Sequence, residues 1–367
     1  METTISITTN FYINYLNTLN KDILPALTYL ESNRVFSSET IEKVIDRIFK
    51  KHKEYLDFIF NDHKVDKISR LGDMHRKGRC TLLVETKTDK FICKPVDIDL
   101  IVTINSILSL LNNSGIFDFV FLNILSKHNG YTKINYIQND QCINSAKFSH
   151  HYGALIFTLT LLRGVDFHSE NIFCISSVPV IIDCESLFYP TILNTKPYDV
   201  TATSLIPTTL NSNSLIQKLK LSRYHINQGI IAAYNVFKNQ KIKLANIITK
   251  NKKKKIRMIF KPTHFYYSLL KNSTHPTFLI NKKKQQNYLN DSLLGQHEIS
   301  KAIIHSEIAD LSSLDIPYFY FQNNKLFNAD DREIKQNFLQ SSIDTIVHDV
   351  FDLDQFKSNL IKKMDTQ

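Results

Sequence analysis

Glycine is scarce in this chain, with only 8 glycines among 367 residues. Glycine lets a backbone turn tightly or approach a phosphate closely, because it has no Cβ atom. A collagen-like chain, a repeat-rich β fold and a dinucleotide site lined with glycines are therefore all disfavoured. The sequence also contains neither a G-x-G-x-x-G nor a G-x-x-x-x-G-K-[ST] pattern, so Rossmann and Walker-type nucleotide sites lose their main sequence support.

The overall composition is that of a globular protein, since 43% of the residues are hydrophobic and 22% are charged. Lysine and arginine outnumber aspartate and glutamate by 45 to 35, which gives a formal net charge of +10. This excess favours an acidic partner without saying of which kind. The Lys252–Lys255 run is interpreted as a solvated loop or as a patch that attracts ATP or an acidic leader peptide. Because no aromatic interleaving or nucleic-acid motif accompanies it, we expect no nucleic-acid partner.

The cysteines argue for a reducing compartment. Five are present, widely spread and without C-x-x-C spacing, so neither a disulfide framework nor a cysteine-rich zinc site is expected. The first twenty residues show no basic segment followed by an apolar run, and no apolar stretch is long enough to span a bilayer. We therefore expect a cytoplasmic protein with no signal peptide and no transmembrane segment.

The periodicity of apolar residues changes along the chain. Residues 1–70 show helical spacing, whereas residues 80–95 read as a β-hairpin that ends near Lys94. Because strands and helices are mixed without strict alternation, an α+β fold is favoured over a doubly wound sheet. Further predicted elements are helices over 98–112, 114–127, 146–163 and 215–238, strands over 134–137, 171–175 and 180–183, and a polar helical tail over 330–367.

One set of residues has the pattern that phosphoryl transfer from ATP requires. That reaction needs a carboxylate to orient the attacking hydroxyl, an amide and a second carboxylate to hold Mg²⁺, and a lysine to neutralise phosphate charge. Asp166 and Asn171 have the spacing of the kinase catalytic loop. Asp183 ends an apolar strand shortly afterwards, and Lys94 lies on the upstream hairpin. Taken singly, these residues are also typical of a capped turn, a strand-end aspartate and a solvated strand lysine.

A second cluster lies directly before the hairpin. It contains Asp73, His75 and Arg79 in a segment bracketed by Gly72 and Gly78, which favours a tight loop. An Asp-x-His pair can polarise or shuttle a proton, and an arginine can hold a phosphate. The alternative is a structural loop with an internal Asp–His hydrogen bond.

Four blocks of sequence, taken together, match a known family. They read GDMHRKGR from residue 72, FICKP from 91, GVDFHSENI from 164 and PVIIDCESLFYP from 179. In this order they resemble the patterns GDxHxxGR, YKP, DLHxEN and PVLIDLETLFHP of the dehydratase domain of class II lanthipeptide synthetases. The resemblance covers about residues 68–320, with further matches at Arg257–Thr263, His275-Pro276, Glu307 and Asp315–Phe319.

The resemblance implies an α+β, kinase-like domain with two lobes, related to lipid and protein kinases, with helical additions at both ends. The expected divisions are a helical N-terminal region over 1–70, an N-lobe-like region over 71–145, a C-lobe-like region over 146–330 and a polar helical tail over 331–367. The N-lobe-like region would contain the GDxH loop and the lysine-bearing hairpin.

The resemblance also implies two reactions in one site. ATP phosphorylates a serine or threonine of a ribosomal precursor peptide, and phosphate is then eliminated to leave dehydroalanine or dehydrobutyrine. In the first reaction Asp166 would orient or deprotonate the hydroxyl, and His168 would support Asp166 or the transferred phosphate. Lys94 would bind the nucleotide, while Asn171 and Asp183 would bind Mg²⁺.

For the second reaction, Asp73, His75, Arg257 and Thr263 fall on residues that the family associates with elimination. Elimination requires a base at the α-carbon and cations on the departing phosphate. Arg257 and Arg79 suit the cationic task, whereas the identity of the base is left open by the sequence.

The chain also departs from the family pattern. It is shorter at both ends, and the cyclase domain with its zinc site is absent, so we expect a truncated dehydratase that uses ATP and Mg²⁺ without zinc. Its expected partners are a precursor peptide and a separate cyclase. Two alternatives stay open: a non-catalytic, pseudokinase-like protein that binds a peptide or partner, and a kinase that phosphorylates and stops.

Overall fold

The computed structural model describes most of the chain from residue 55 onwards. The helical region predicted over 1–70 lies outside the described residues up to residue 54, and so does His275. Residues 55–57 and 59–60 are helical, whereas Lys67–Arg70 forms a strand that pairs with Leu82–Glu85, so the prediction is wrong at this end. Within them, no helix is long and apolar enough to cross a membrane. The described residues are 55–57, 59–60, 63–76, 78–95, 99–128, 131–193, 198–207, 215–273, 278, 281–294, 301–313 and 315–365.

A five-stranded antiparallel sheet forms the first part of the described chain. Its strands are β1 (Lys67–Arg70), β2 (Leu82–Glu85), β3 (Lys90–Lys94), β4 (Ile124–His128) and β5 (Tyr131–Asn135). They pair in the order β1-β2-β3-β5-β4. Leu82 pairs with Cys93, so the predicted hairpin is confirmed. Phe91 and Cys93 are fully buried, and this packing fixes the end of β3 where Lys94 lies.

One helix lies between β3 and β4, and further helices and short strands follow the sheet. The elements up to the next sheet are α1 (Asp99–Asn112), α2 (Ser145–Leu161), β6 (Ile172–Ile175), β7 (Val178–Ile181), β8 (Thr191–Ile192), α3 (Leu215–Lys218), α4 (Arg223–Asn239) and α5 (Lys241–Thr249). The side chain of Asn144 caps α2 by accepting a hydrogen bond from the backbone N–H of Lys147. Most of α2 is buried, because it lies in the centre of the main hydrophobic core.

The described residues of the last part of the chain form a four-stranded antiparallel sheet and five helices. Its strands pair in the order β12-β11-β10-β9, and β13 pairs with β8. The tail predicted as polar and helical over 331–367 begins with two short strands, Glu333–Ile334 and Leu339–Gln340, before its helices, so the prediction is wrong for that part. Ile346 and Val350 are fully buried, so the tail also contributes to the core. The elements are β9 (Ile256–Met258), α6 (Thr263–Ser273), α7 (Lys282–Leu294), α8 (Lys301–Ser312), β10 (Phe319–Gln322), β11 (Lys325–Asn328), β12 (Glu333–Ile334), β13 (Leu339–Gln340), α9 (Ile343–Phe351) and α10 (Leu353–Asp365).

Two of the scarce glycines lie where α2 and α4 cross. A Cβ atom on Gly153 would lie 2.0 Å from the carbonyl oxygen of Ile226, and one on Gly229 would lie 1.8 Å from that of His150. Both distances are shorter than any van der Waals contact, so only glycine allows this approach of the backbones. The crossing fixes the first half of α2 against α4, and the candidate catalytic loop follows the other end of α2.

Two of the predicted helices are corrected by the structure. The helix predicted over 114–127 is wrong, because the chain leaves the helical conformation at Gly115, which has φ of +74°, and forms β4 from Ile124. The side-chain amide of Asn112 both accepts from the N–H and donates to the C=O of Phe119, which stabilises this loop. The helix predicted over 215–238 is interrupted between α3 and α4, where Lys220 has φ of +49°.

A buried ion pair fixes α8 against the segment after β9. The Lys261 ammonium lies 2.6 and 2.9 Å from the two carboxylate oxygens of Glu307, and the Tyr266 hydroxyl donates to the same carboxylate. Glu307 is 0% exposed and Lys261 is 6% exposed. Water therefore cannot replace a lost partner.

We expect Lys261→Met to lower the free energy of unfolding by about 3–5 kcal/mol, because it leaves the Glu307 carboxylate buried without its cation. Urea denaturation measures this change. Lys325→Met is the matched control, since it breaks a 2.6 Å pair with Glu333 whose side chains are 54% and 43% exposed. Its expected effect is below about 1 kcal/mol. Equal losses in the two variants would contradict the prediction.

Candidate active site

The candidate residues named from the sequence all line one cavity of about 450 Å³. This cavity lies where the five-stranded sheet meets the loops around α2, β7 and β9. These residues come from five separate stretches of the chain, so the fold brings together side chains that are far apart in sequence. They are Asp73, His75, Arg79, Lys94, Asp166, His168, Asn171, Asp183, Arg257 and Thr263.

The loop between α2 and β6 holds Asp166 in an uncommon conformation. Its φ of +69° lies in the left-handed region, which costs a residue with a Cβ atom about 1 kcal/mol or more. The side-chain amide of Asn171 donates to the carbonyl of Asp166 at 2.7 Å, and the N–H of Phe167 donates to Thr203 at 2.9 Å. These bonds fix the turn from both sides.

The carboxyl group of Asp166 is set up to hold a proton more readily than usual. Burial raises the pKa of this group, while His168 and Arg257 act against the increase. The His168 Nε2 atom lies 3.5 Å from the Asp166 Oδ1 atom. His168 Nδ1 accepts from the N–H of Glu170 at 3.2 Å, which restricts rotation of the ring. A carboxylate with a raised pKa is a better acceptor for the proton of a hydroxyl group.

The buried Lys94 and the half-buried Asp183 form an ion pair at the cavity. The Lys94 ammonium lies 3.0 Å from Asp183 Oδ2 and 3.8 Å from Glu185 Oε1. Burial opposes the charge on Asp183, but Lys94 and Arg257 outweigh it and lower the pKa of Asp183. Burial also opposes the charge on Lys94, whose pKa is nevertheless raised by Asp183 and Glu185. Both groups are therefore charged at neutral pH.

Glu185 is a cavity residue that the sequence did not single out. It follows Asp183 by two positions, and burial and the charge of Asp183 raise its pKa. The carboxylate lies 3.8 Å from Lys94 and 4.0 Å from Arg257, so it bridges the two parts of the site. The backbone N–H of Arg257 also donates to the Glu185 carbonyl at 2.8 Å. The sequence signal that could have identified Glu185 is its position two residues after the strand-end Asp183.

His75 and Arg257 form the centre of the second cluster. His75 Nδ1 lies 2.9 Å from the carbonyl oxygen of Ile316, which can only accept, so Nδ1 carries the proton. The Nε2 atom is then the acceptor for the Arg257 guanidinium at 3.3 Å. The predicted alternative, an internal bond between Asp73 and His75, is not among the described hydrogen bonds of His75. His75 therefore orients Arg257.

The His75 imidazole stays neutral over the physiological range. Burial, reinforced by the charge of Arg257, lowers its pKa to about 3. We expect the His75 ring resonances in NMR spectra, assigned by their loss in His75→Gln, to stay constant between pH 5 and 8. A transition near pH 6.5 would contradict this environment.

The same shift predicts a pH dependence of stability. The unfolded imidazole binds a proton near pH 6.5, whereas the folded one binds it near pH 3. The unfolded state therefore binds more protons between these values, and His75 lowers stability by up to about 1.4 kcal/mol per pH unit as pH falls. Urea titrations of the unaltered protein and His75→Gln at pH 7 and pH 5 measure the difference. We expect a smaller loss in the variant.

Tyr318 is a second cavity residue that the sequence did not single out. Its ring lies 5.1 Å from the Arg76 guanidinium, 5.8 Å from that of Arg257, and 5.8 Å from the His75 ring. Burial, followed by the negative charge of Glu185, raises its pKa, so the hydroxyl keeps its proton. The residue lies within the Asp315–Phe319 block that carries part of the family resemblance.

The remaining candidates occupy the rim of the cluster. Arg79 exchanges two backbone hydrogen bonds of 2.8 Å with His75, which closes the loop that follows Asp73. Arg76 has φ of +50° and its guanidinium lies 2.8 Å from the Asp331 carboxylate, which ties this loop to the four-stranded sheet. Thr263 begins α6.

The donor set fits a magnesium ion bound together with phosphates. Asn171 uses its amide nitrogen on Asp166, which leaves its amide oxygen for a cation, and Asp183 is ionised. Mg²⁺ in phosphate-transfer sites takes one or two protein carboxylates, with phosphates and water completing the shell. No group of three or more His, Cys, Asp or Glu residues suited to a metal ion occurs among the described residues. A magnesium site in which substrate phosphates supply ligands does not require such a group of three protein ligands.

Comparison with known proteins gives one family. A family model described as "Domain of unknown function (DUF4135)" matches the chain in two overlapping segments, residues 25–224 and 206–322. The matched range contains every residue of the candidate site. No curated protein matches the chain at the threshold applied.

Proposed function

We propose that this chain, which belongs to the DUF4135 family, is a peptide dehydratase that phosphorylates serine or threonine and then eliminates the phosphate. The DUF4135 domain is associated with lanthipeptide synthetase-like proteins. The observation that carries the proposal is the meeting of the kinase-type and the elimination-type residues in one cavity. A single cavity allows the phosphorylated residue to be processed without leaving.

The arrangement around Lys94 supports a kinase-like reading of the fold. Lys94 lies on the third strand of an antiparallel sheet, opposite a loop with Asp166 and Asn171 and a strand-end Asp183. Protein kinases place a strand-three lysine, a catalytic aspartate, an asparagine and a metal-binding aspartate in the same order. The mixed α+β architecture agrees with that comparison.

In the first reaction, the peptide hydroxyl attacks the γ-phosphorus of ATP and ADP leaves. Asp166 accepts the hydroxyl proton, and its raised pKa favours this transfer. Lys94 holds phosphate oxygens with a charge that is fixed by Asp183 and Glu185. Mg²⁺ held by Asn171 and Asp183 would neutralise phosphate charge. His168 keeps the Asp166 carboxyl in position.

In the second reaction, a base removes the α-proton of the phosphorylated residue. The Cα–H electrons form the Cα=Cβ bond, the Cβ–O bond breaks, and inorganic phosphate leaves. Arg257 binds the departing phosphate, because its guanidinium lines the cavity and is oriented by His75 and Glu185. Arg79, Asp73 and Thr263 line the same part of the cavity.

Mass spectrometry of a Ser/Thr-containing precursor peptide tests the proposal. The protein is incubated with a peptide encoded beside its gene, Mg²⁺ and ATP. Loss of water from the peptide supports a dehydratase. A stable gain of phosphate selects a kinase that stops, and nucleotide binding without any change of peptide mass selects a non-catalytic binding protein.

A further inference from the structure

The hydroxyl group of Tyr318 differs from those of the tyrosines around it. Tyr189 donates to the carbonyl of Ile259 at 2.9 Å, and Tyr320 donates to Asp331 at 2.9 Å. Tyr266 donates to Glu307. No hydrogen bond joins the Tyr318 hydroxyl to another described residue, although the residue is only 6% exposed. Buried tyrosine hydroxyls usually find a partner.

The position of Tyr318 indicates where that partner would come from. The residue lines the candidate cavity, and its ring is surrounded by the Arg76 and Arg257 guanidiniums and by His75. Arg76 is paired with Asp331 at 2.8 Å, whereas Arg257 lies 4.0 Å from the nearest Glu185 oxygen, so Arg257 is the closer source of positive charge for an anion. The guanidinium of Arg257 and the hydroxyl of Tyr318 together provide donors for an anion with several oxygens. Asp166 and Asn171, which serve the kinase step, are not among the ring's contacts.

The protonation state of the ring suits donation. Burial and the carboxylate of Glu185 raise the pKa of Tyr318, so the phenol is neutral at every pH at which the protein works. A neutral phenol can donate one hydrogen bond, but it cannot serve as the base at the α-carbon. An anion at this position would be attracted by the positive charge of Arg257 and would accept a hydrogen bond from the phenol.

We propose that Tyr318 is a further catalytic residue of the elimination step, whose hydroxyl donates a hydrogen bond to the departing phosphate. This inference rests on the dehydratase function proposed above. As the Cβ–O bond breaks, negative charge develops on the bridging oxygen, and the phenol stabilises that charge while it keeps its proton. Removal of one such donor typically slows a reaction by about 10²–10³-fold.

Tyr318→Phe removes this hydroxyl and leaves the ring beside the same neighbours. Incubated with Mg²⁺, ATP and precursor peptide, the variant is expected to phosphorylate at the wild-type rate and to accumulate phosphopeptide. With chemically prepared phosphopeptide as the substrate, its elimination rate is expected to fall by about 10²-fold. Mass spectrometry follows both products.

Tyr320→Phe is the matched control. It lies two residues away, near the same Arg76 guanidinium, but its hydroxyl is bonded to Asp331 and it does not line the cavity. We expect its elimination rate to equal that of the unaltered protein. Thermal unfolding of both variants checks that neither has lost its fold.

The outcomes separate this inference from the proposed function. Wild-type elimination by Tyr318→Phe, with dehydration by the unaltered protein intact, overturns the role of Tyr318 alone. A proportional loss of phosphorylation and elimination also overturns it, because that pattern indicates a structural role. Failure of the unaltered protein to modify the peptide at all counts against the dehydratase proposal itself.

Discussion

Asp166→Asn is expected to leave the precursor peptide unmodified. The substitution keeps the size of the side chain and removes the carboxylate that accepts the hydroxyl proton. General base catalysis contributes about 10²–10⁴-fold, so phosphopeptide and dehydrated peptide should both fall by at least 10²-fold. Elimination of chemically prepared phosphopeptide should continue, because that step does not pass through Asp166. Mass spectrometry with the two substrates measures both steps.

Asparagine is the right replacement because of the backbone at this position. With φ of +69°, Asp166 lies in a region that asparagine tolerates better than other non-glycine residues. A loss of activity is then chemical and does not result from a displaced loop. Asp118→Asn is the control, since Asp118 is largely exposed, pairs with Lys147 at 2.7 Å and does not line the cavity. Wild-type phosphorylation by Asp166→Asn would remove the base from the mechanism.

The sequence was sufficient to predict secondary structure where the local pattern of apolar residues agrees with the packing in the fold. The hairpin of β2 and β3 consists of two short apolar runs joined by a polar turn, and both runs are packed into the sheet as strands. The segment 114–127 is different, because its apolar residues fit a helix as well as an extended chain. There, the side chain of Asn112 decides the conformation through two hydrogen bonds to Phe119. A contact of this kind is not visible in periodicity.

The candidate site also contains residues that the sequence identifies and residues that only the structure identifies. Residues with a motif, such as Asp166 and Asn171, could be named from spacing alone. Glu185 and Tyr318 could not, because their importance comes from neighbours distant in sequence. His75 bonds to the carbonyl of Ile316, 241 residues later, and β10 pairs with β9 so that Tyr320 lies opposite Arg257. These long-range contacts bring Tyr318 next to Arg257. The electrostatic environment of Glu185 and Tyr318 is created by residues that only folding brings together, so the sequence alone does not reveal it.

Arg257→Met is expected to separate the two reactions by accumulating phosphopeptide. Methionine keeps the apolar bulk of the side chain, but it removes the charge that the departing phosphate requires. Elimination should slow by about 10²–10³-fold, whereas phosphorylation, which depends on Lys94 and Asp166, should continue. Liquid chromatography with mass spectrometry gives the ratio of phosphorylated to dehydrated peptide over time.

Electrostatics around Arg257 set the conditions for this experiment. Arg257 lowers the pKa of Asp183 and opposes the increase at Asp166, so its removal makes both carboxyls easier to protonate. We therefore expect the acid limb of the pH–rate profile for phosphorylation to move to higher pH in Arg257→Met, and rates should be compared at pH 8, above that limb.

Arg223→Met is the control, because Arg223 forms an exposed pair with Asp365 at 2.9 Å. If Arg257→Met yields only unmodified peptide at pH 8 while Arg223→Met dehydrates normally, the division of labour between the two clusters is wrong. Phosphopeptide from Arg257→Met, converted to dehydrated product when unaltered protein is added, would show that the arrested species is the intermediate of the second reaction.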